Sequence, residues 1–402
     1  MSTVALTGIA RLVTHDPLHG EAHPAMPGAG CGLDDAWLVI ESHRPGEGRV
    51  LAVGTGSAPP ADRRVDVGGR AVIPGFVDSH THLVFAGDRG EEFTARMAGA
   101  PYEAGGIART IAATTAASDD ELRAGLARRI AEARAGGTTT VEVKSGYGAT
   151  PSQEARLLSL AREVTPHTTL LGAHVTPPGF PGGADAFVEL VVGDVLDACA
   201  MLAGSVDVFC EVGAFDADQS RTVLEAGIAA GLVPRIHANQ LSAGPGVQLG
   251  VELGCASADH CTHLSDADVE ALAGSATVAT LLPATDFSTR QPYPDGRRLV
   301  DAGATVALAS NCNPGSSYTS SMPLVIALAV RDCHLTLDEA LWAATAGGAR
   351  SLGIAGAGTL SVGAAADLVV LDAPHPSHLA YRPGMPLVAA TFVGGHQVSG
   401  DL

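Results

Sequence analysis

The spacing of apolar and polar positions divides the chain into two textures. Across residues 36–77, the runs WLVIES, RVLAVGTG and RAVIPGFVD are separated by Gly and Pro, with no 3.6-residue periodicity. That texture predicts short β-strands. It returns at the far end in GTLSVGAAADLVVLDA and PLVAATFVGGHQVSG. Strand-rich ends around a different middle predict one small β-sandwich module built from both termini, residues 1–75 and 354–402.

The middle alternates strand and helix. Ser118 and Glu121 form a capping-box pattern, and Leu122, Leu126 and Ile130 then recur every four residues on one helical face. Gly136-Gly137 ends that helix, and the β-branched run TTTVEVKS follows. Ser265 with Asp268 and Thr336 with Glu339 mark two more helix starts. Eight apolar runs end in polar residues: AVIPGFVDSHTH, TTVEVKS, TTLLGAHV, VDVFCEV, LVPRIHA, SADHCTH, TVATLLP and TVALASN. Eight strands with helices between them predict an α/β fold, a (β/α)8 TIM-like barrel over residues 76–353. A doubly wound parallel sheet is the competing arrangement.

Charge narrows the partners. Asp and Glu outnumber Lys and Arg 43 to 24, giving −19 with His neutral. Such a surface repels phosphate backbones and anionic lipid, so neither nucleic acid nor a membrane is expected as a partner. The longest apolar run, 322–330, is too short to span a bilayer. The opening MSTVALTGIARLVTHD lacks the basic flank and sustained apolar stretch of a signal peptide. The seven cysteines are scattered and form no CxxC, which argues against a disulfide framework or thiolate zinc module. A soluble, cytoplasmic protein is expected.

The strand ends carry the candidate chemistry: His80 and His82, Lys144, His174, Glu211, His237, His260 and Asn311. In a barrel these ends meet at one mouth, where active sites lie. Alternate residues of a strand share a face, so His80 and His82 can reach one ion. Alone the pair is weak, since 15 His in 402 residues give about 0.6 such pairs by chance. Joined with His237 and His260 at neighbouring strand ends, it predicts a metal site. Nitrogen and oxygen donors without thiolate suit Zn²⁺, or less well Fe²⁺. Lys144 has three readings: a carbamate bridging two metals, a partner for a substrate carboxylate, or a buried ion pair with Glu142 or Glu211, the preferred one. Arg89 could clamp a carboxylate with its planar fork, or pair with Glu91 or Glu92. Tyr147, between glycines in SGYG, places a phenol at the mouth or packs there. NPGSS at 313–317 offers N–H groups and hydroxyls to an anion, or makes a plain turn.

PGFVDSHTHLVFAGDR together with KSGYG, GAHVTPP, HANQ, SADH and NPGSS resembles the imidazolonepropionase family of the amidohydrolase superfamily, from about residue 36 to the end. The resemblance implies hydrolytic opening of 4-imidazolone-5-propanoate to N-formimino-L-glutamate, a step of histidine degradation. It implies one Zn²⁺ or Fe ion per subunit on His80, His82 and His237, with Asn311 at the fourth ligand position. His260 would polarise the carbonyl or stabilise the tetrahedral intermediate, and Gln240 would contact the ring. Arg89 would bind the propanoate, with Tyr102, Tyr147 and His174 shaping the pocket and Asn313, Gly315 and Ser316 contacting the product. A homodimer is also implied.

Two positions depart from the family pattern. Gln240 stands in HANQ where the family often has Glu, and an amide cannot transfer a proton at neutral pH. Ser310-Asn311-Cys312-Asn313 stands where the pattern is Thr/Ser-Asp-x-Asn, so position 311 offers a neutral oxygen and no base. Two other functions stay open on these residues. One is a heterocycle deaminase, which would not need Arg89. The other is a metal-binding barrel with reduced or no turnover because of Asn311.

Overall fold

The computed structural model describes residues 2–21, 23–42, 46–99 and 106–402. The chain opens with strands β1 (Ser2–Val13), β2 (Gly32–Ser42), β3 (Val50–Thr55), β4 (Arg63–Asp66) and β5 (Val72–Pro74). The barrel strands are β6 (Phe76–Asp78), β7 (Thr138–Val141), β8 (Val143–Lys144), β9 (Thr168–Ala173), β10 (Ser205–Cys210), β11 (Val233–Pro234), β12 (Ile236–Ala238), β13 (Ser257–His260), β14 (Val278–Leu281) and β15 (Val306–Leu308). The chain closes with β16 (Leu368–Leu371), β17 (Val388–Val393) and β18 (His396–Gly400).

Both termini do build one module. Its strands run β18-β17-β16-β5-β1-β2-β3, with β4 paired to β1. Strand β16 lies antiparallel to β5, so the C-terminal segment is stitched directly to the N-terminal one. Leu6, Ile9, Leu12, Leu38, Ile40, Val72, Leu368, Val370 and Phe392 share its core. The organising strand is β1, whose twelve residues pair with β2, β4 and β5.

The middle is a parallel barrel, and all eight expected strands are present. Two of them are split: β7 and β8 by Glu142, β11 and β12 by Arg235. Strands β8 to β15 pair in the order β15-β14-β13-β12-β10-β9-β8, and β6 pairs with β7. The doubly wound arrangement is thereby excluded, because its strand order reverses at a switch point and this one continues around. The first and eighth strand regions meet through single bonds. Asn311 N–H donates to His80 O at 3.0 Å, His82 N–H to Cys312 O at 3.1 Å, and Ser310 N–H to the Asp78 carboxylate at 2.9 Å. Closure thus falls on the same segments that carry the candidate ligands.

Helices α1 (Gly90–Met97) and α2 (Ile107–Ala116) follow β6 at the mouth, and α3 (Asp119–Ala135) returns the chain to β7. The Ser118–Glu121 capping box forms as expected, as do those at Ser265–Asp268 and Thr336–Glu339. No helix among the described residues is long and apolar enough to cross a membrane.

Candidate active site

Each candidate ligand stands at the C-terminal end of a barrel strand. His80 and His82 follow β6, His237 lies in β12, His260 ends β13 and Asn311 follows β15. Their rings pack together: His80 and His237 centroids are 4.4 Å apart, and His237 and His260 centroids 5.3 Å. One nitrogen from each of His80, His82 and His237 lies within 4.8 Å of the others.

The donor set fits a metal ion. His80 Nδ1 is 2.6 Å from Asp259 Oδ2, and His237 Nδ1 is 3.1 Å from Asp207 Oδ1. A carboxylate accepts only, so each imidazole donates from Nδ1 and keeps Nε2 as a bare lone pair. Both Nε2 atoms are buried without a hydrogen-bond partner among the described residues, and so are His82 Nδ1 and Asn311 Oδ1. Buried polar atoms are rarely left unpaired, and the three imidazoles, with Asn311 lining the same cavity, would suit a cation. Burial holds the His80 and His82 imidazoles well below the usual histidine range, keeping them in the neutral form that ligates.

Asn311 has a free oxygen as well. Its Nδ2 donates to Thr285 Oγ1 at 2.8 Å, and Oδ1 is the oxygen left without a partner. The residue has φ +56°, a left-handed conformation that asparagine tolerates better than most residues. His260 is the stronger outlier at φ +82°, followed by Cys261 at +53°. The kink leaves its Nδ1 buried and unpartnered beside His237. Burial, then the neighbouring His237, pushes His260 well below its usual pKa, which favours the neutral imidazole.

Behind the ligands lies a buried charge cluster that the sequence reading foresaw only in part. Lys144 Nζ is 2.8 Å from Asp207 Oδ2, 3.0 Å from Glu142 Oε1 and 3.8 Å from Asp259 Oδ2. The expected Glu142 pair is present, and the Glu211 alternative is not. Glu211 instead accepts from Leu241 N–H and the Ser242 hydroxyl. His80, Asp207 and Asp259 could be taken for a second metal cluster. The Lys144 ammonium already sits against both of its carboxylates, which also argues against a metal-bridging carbamate there. Arg235 completes the cluster, donating to Ser79 O, Ser351 O and Asp259. Burial alone would raise the Asp207 and Asp259 carboxyls. His237 and Lys144 hold the first down, and Arg235 and Lys144 the second.

The cavity in front of the histidines is lined by Arg89, Tyr147, His174, Gln240, Asn313 and Ser316, together with His82, His237, His260 and Asn311. His174 stacks on His82 at 5.3 Å, and its Nδ1 contacts Gly146 O at 3.2 Å. Burial brings its pKa down to about 3, so it too is neutral. Arg89 pairs with Glu92, as one of its two expectations had it, and still faces the cavity. The NPGSS loop departs from the anion-binding expectation. The Gly315 and Ser316 N–H groups donate to Asn313 Oδ1, both at 2.8 Å, so they are already spent inside the loop. Gly315 packs against Arg89 and lines the adjoining cavity. Tyr102 lies outside the described residues.

Parallel strands with three imidazoles and an amide oxygen at their C-terminal ends define a metal-dependent hydrolase of the amidohydrolase class. The Amidohydrolase family pattern matches residues 236–398. Among solved structures, a triazine hydrolase from Arthobacter aurescens superposes with TM-score 0.74 at 18% identity, over 100% of this chain and 95% of that one. An adenosine deaminase from Xanthomonas campestris with bound zinc gives 0.69 at 19%, over 99% and 93%. At such identity these neighbours show the fold. Sequence relatives go further. Imidazolonepropionase of Mycolicibacterium smegmatis is 60% identical over 399 residues, covering 99% of this chain and 98% of that protein. That of Streptomyces coelicolor is 60% identical over 396 residues, covering 98% of each. The chain belongs to the imidazolonepropionase family.

Proposed function

We propose that the protein hydrolyses the ring amide of 4-imidazolone-5-propanoate, giving N-formimino-L-glutamate in histidine degradation. The observation that carries this reading is one cavity holding both the histidine cluster and a single buried arginine, Arg89. A substrate with a reactive ring at one end and a carboxylate at the other matches those two ends.

The chemistry supplied by a divalent ion on His80, His82, His237 and Asn311 is a lowered water pKa and a polarised carbonyl. Zinc suits a set of three imidazoles and one amide oxygen. A single ion per subunit is supported by Lys144, which occupies the carboxylates a second would need. Residues of the chain do the rest. Arg89 pairs with the propanoate, Tyr147 and His174 flank the ring, and Gln240 hydrogen-bonds it. His260 takes the proton from the attacking water and returns it to the ring nitrogen as the carbonyl C–N bond breaks. The water oxygen becomes part of the new carboxyl group, and the second water proton, released as that group ionises, is taken up by the basic formimino nitrogen, so atoms and charge balance. All seven cysteines are unpaired and buried, which supports a cytoplasmic setting.

The test is loss of imidazolonepropanoate absorbance with zinc-loaded protein, against metal-stripped protein as control. Zinc-dependent loss is expected. Zinc and substrate bound without product would favour the binding barrel. The deaminase reading is not favoured by the full-length relatives, and Arg89 separates it further. Arg89→Ala removes a charge-assisted contact worth about 1.5–3 kcal/mol, so KM for the propanoate should rise about 10- to 100-fold. An unchanged KM in steady-state assays would remove Arg89 from substrate binding.

A further inference from the structure

Arg89 does not hang free in the cavity. Its guanidinium is gripped along one edge, with Nε and Nη2 donating to Glu92 Oε2 at 3.0 and 2.7 Å. Two glycines press on the remainder. A Cβ on Gly106 would lie 2.1 Å from Nη2, and one on Gly315 2.1 Å from Nη1. Real Cβ atoms do not come so close, so any side chain at either position displaces the guanidinium. Gly315 is itself fixed, its carbonyl accepting from Arg96 Nη2 at 3.0 Å and its N–H bound to Asn313. Arg89 is 7% exposed and is therefore slotted between two backbones and tied by one carboxylate. An arginine otherwise samples many rotamers and loses that freedom when it binds an anion.

We propose that Glu92 is the positioning residue of the carboxylate clamp, and that Gly106 and Gly315 form the slot that fixes its depth. The inference rests on the reading that the substrate carries a carboxylate. Glu92 spends one edge of the guanidinium and pre-organises Nη1 for the incoming anion. The site then selects a carboxylate held at a fixed reach from the ring. Loosening the clamp weakens binding of the charged arm and leaves binding of the ring alone.

Calorimetry on the full-length, zinc-loaded protein tests this without turnover, using imidazolepropanoate and its neutral amide as probes. Glu92→Ala should weaken imidazolepropanoate about tenfold and change the amide less than twofold. Glu92→Gln keeps an oxygen acceptor for Nε and Nη2 and should recover most of the loss. Gly315→Ala should weaken the propanoate as Glu92→Ala does. The proposal is overturned if Glu92→Ala leaves the propanoate Kd unchanged, or weakens both probes equally, which marks general damage to the pocket. Loss of the clamp is thus separable from failure of the functional reading. That failure would show as wild-type protein that binds the propanoate without hydrolysing imidazolonepropanoate.

Discussion

Asn311→Asp should raise kcat/KM for imidazolonepropanoate by about 10²–10⁴, the range a positioned general base contributes. The same substitution should tighten zinc binding, because a carboxylate replaces an amide beside three imidazole donors. The pocket accepts the change without rebuilding. Asn311 Nδ2 now donates to the Thr285 hydroxyl at 2.8 Å and lies 3.4 Å from the Ser316 hydroxyl. A hydroxyl rotates freely and can donate as well as accept, so both can turn their protons toward a carboxylate oxygen. The oxygen now left without a partner need not move. With a base at 311, the proton leaves the attacking water toward the aspartate, and His260 is freed to stabilise charge on the carbonyl oxygen. Steady-state kinetics and a zinc-chelator competition check the two arms separately. If neither rate nor affinity moves, position 311 is neither ligand nor base position.

How far the sequence anticipates this site depends on whether strand alternation holds. His80 and His82 are legible because two residues apart means one face, and eight apolar runs ending in polar residues are legible as a barrel. Asp207 was within reach of the same rule. It alternates with Phe209 along β10, and Phe209 lines the cavity. An inward carboxylate in the apolar run VDVFC demands a buried partner, and so does Arg235, two residues before His237. Asp259 was not within reach. It neighbours His260, and alternation assigns the two to opposite faces. The left-handed φ of His260 breaks the alternation and lets both serve one site. The N-terminal strand β1 passed unread because its role is long-range, pairing three other strands. The loop at 313–317 was legible only in part. Its N–H groups look available in sequence, and only the fold shows that Asn313 consumes them.

The buried charge cluster sets the second large effect. Glu142, Asp207 and Asp259 face Lys144 and Arg235, three carboxylates against two cations, all with side chains at 0–1% exposure. Lys144→Met removes an ammonium that contacts all three acids and leaves two negative charges in excess. Breaking a buried pair by deleting one partner costs about 3–5 kcal/mol, since the remaining charge is stranded in low dielectric. Urea denaturation should show a lower midpoint with an unchanged slope. Burial acts against the lysine charge, but Asp207 and Glu142 outweigh it and raise its pKa, so the ammonium persists at neutral pH. The effect should reach the metal site as well, because Asp207 and Asp259 orient His237 and His80. Freed from the ammonium, both carboxylates turn, and zinc affinity falls together with stability. A double variant separates charge from packing. Lys144→Met with Asp207→Asn restores the charge balance, and the asparagine oxygen still accepts from His237 Nδ1. It should therefore recover part of the lost stability. No recovery would mean that Lys144 matters for the volume it fills, and the network would then be packing with charges rather than an electrostatic support for the ligands.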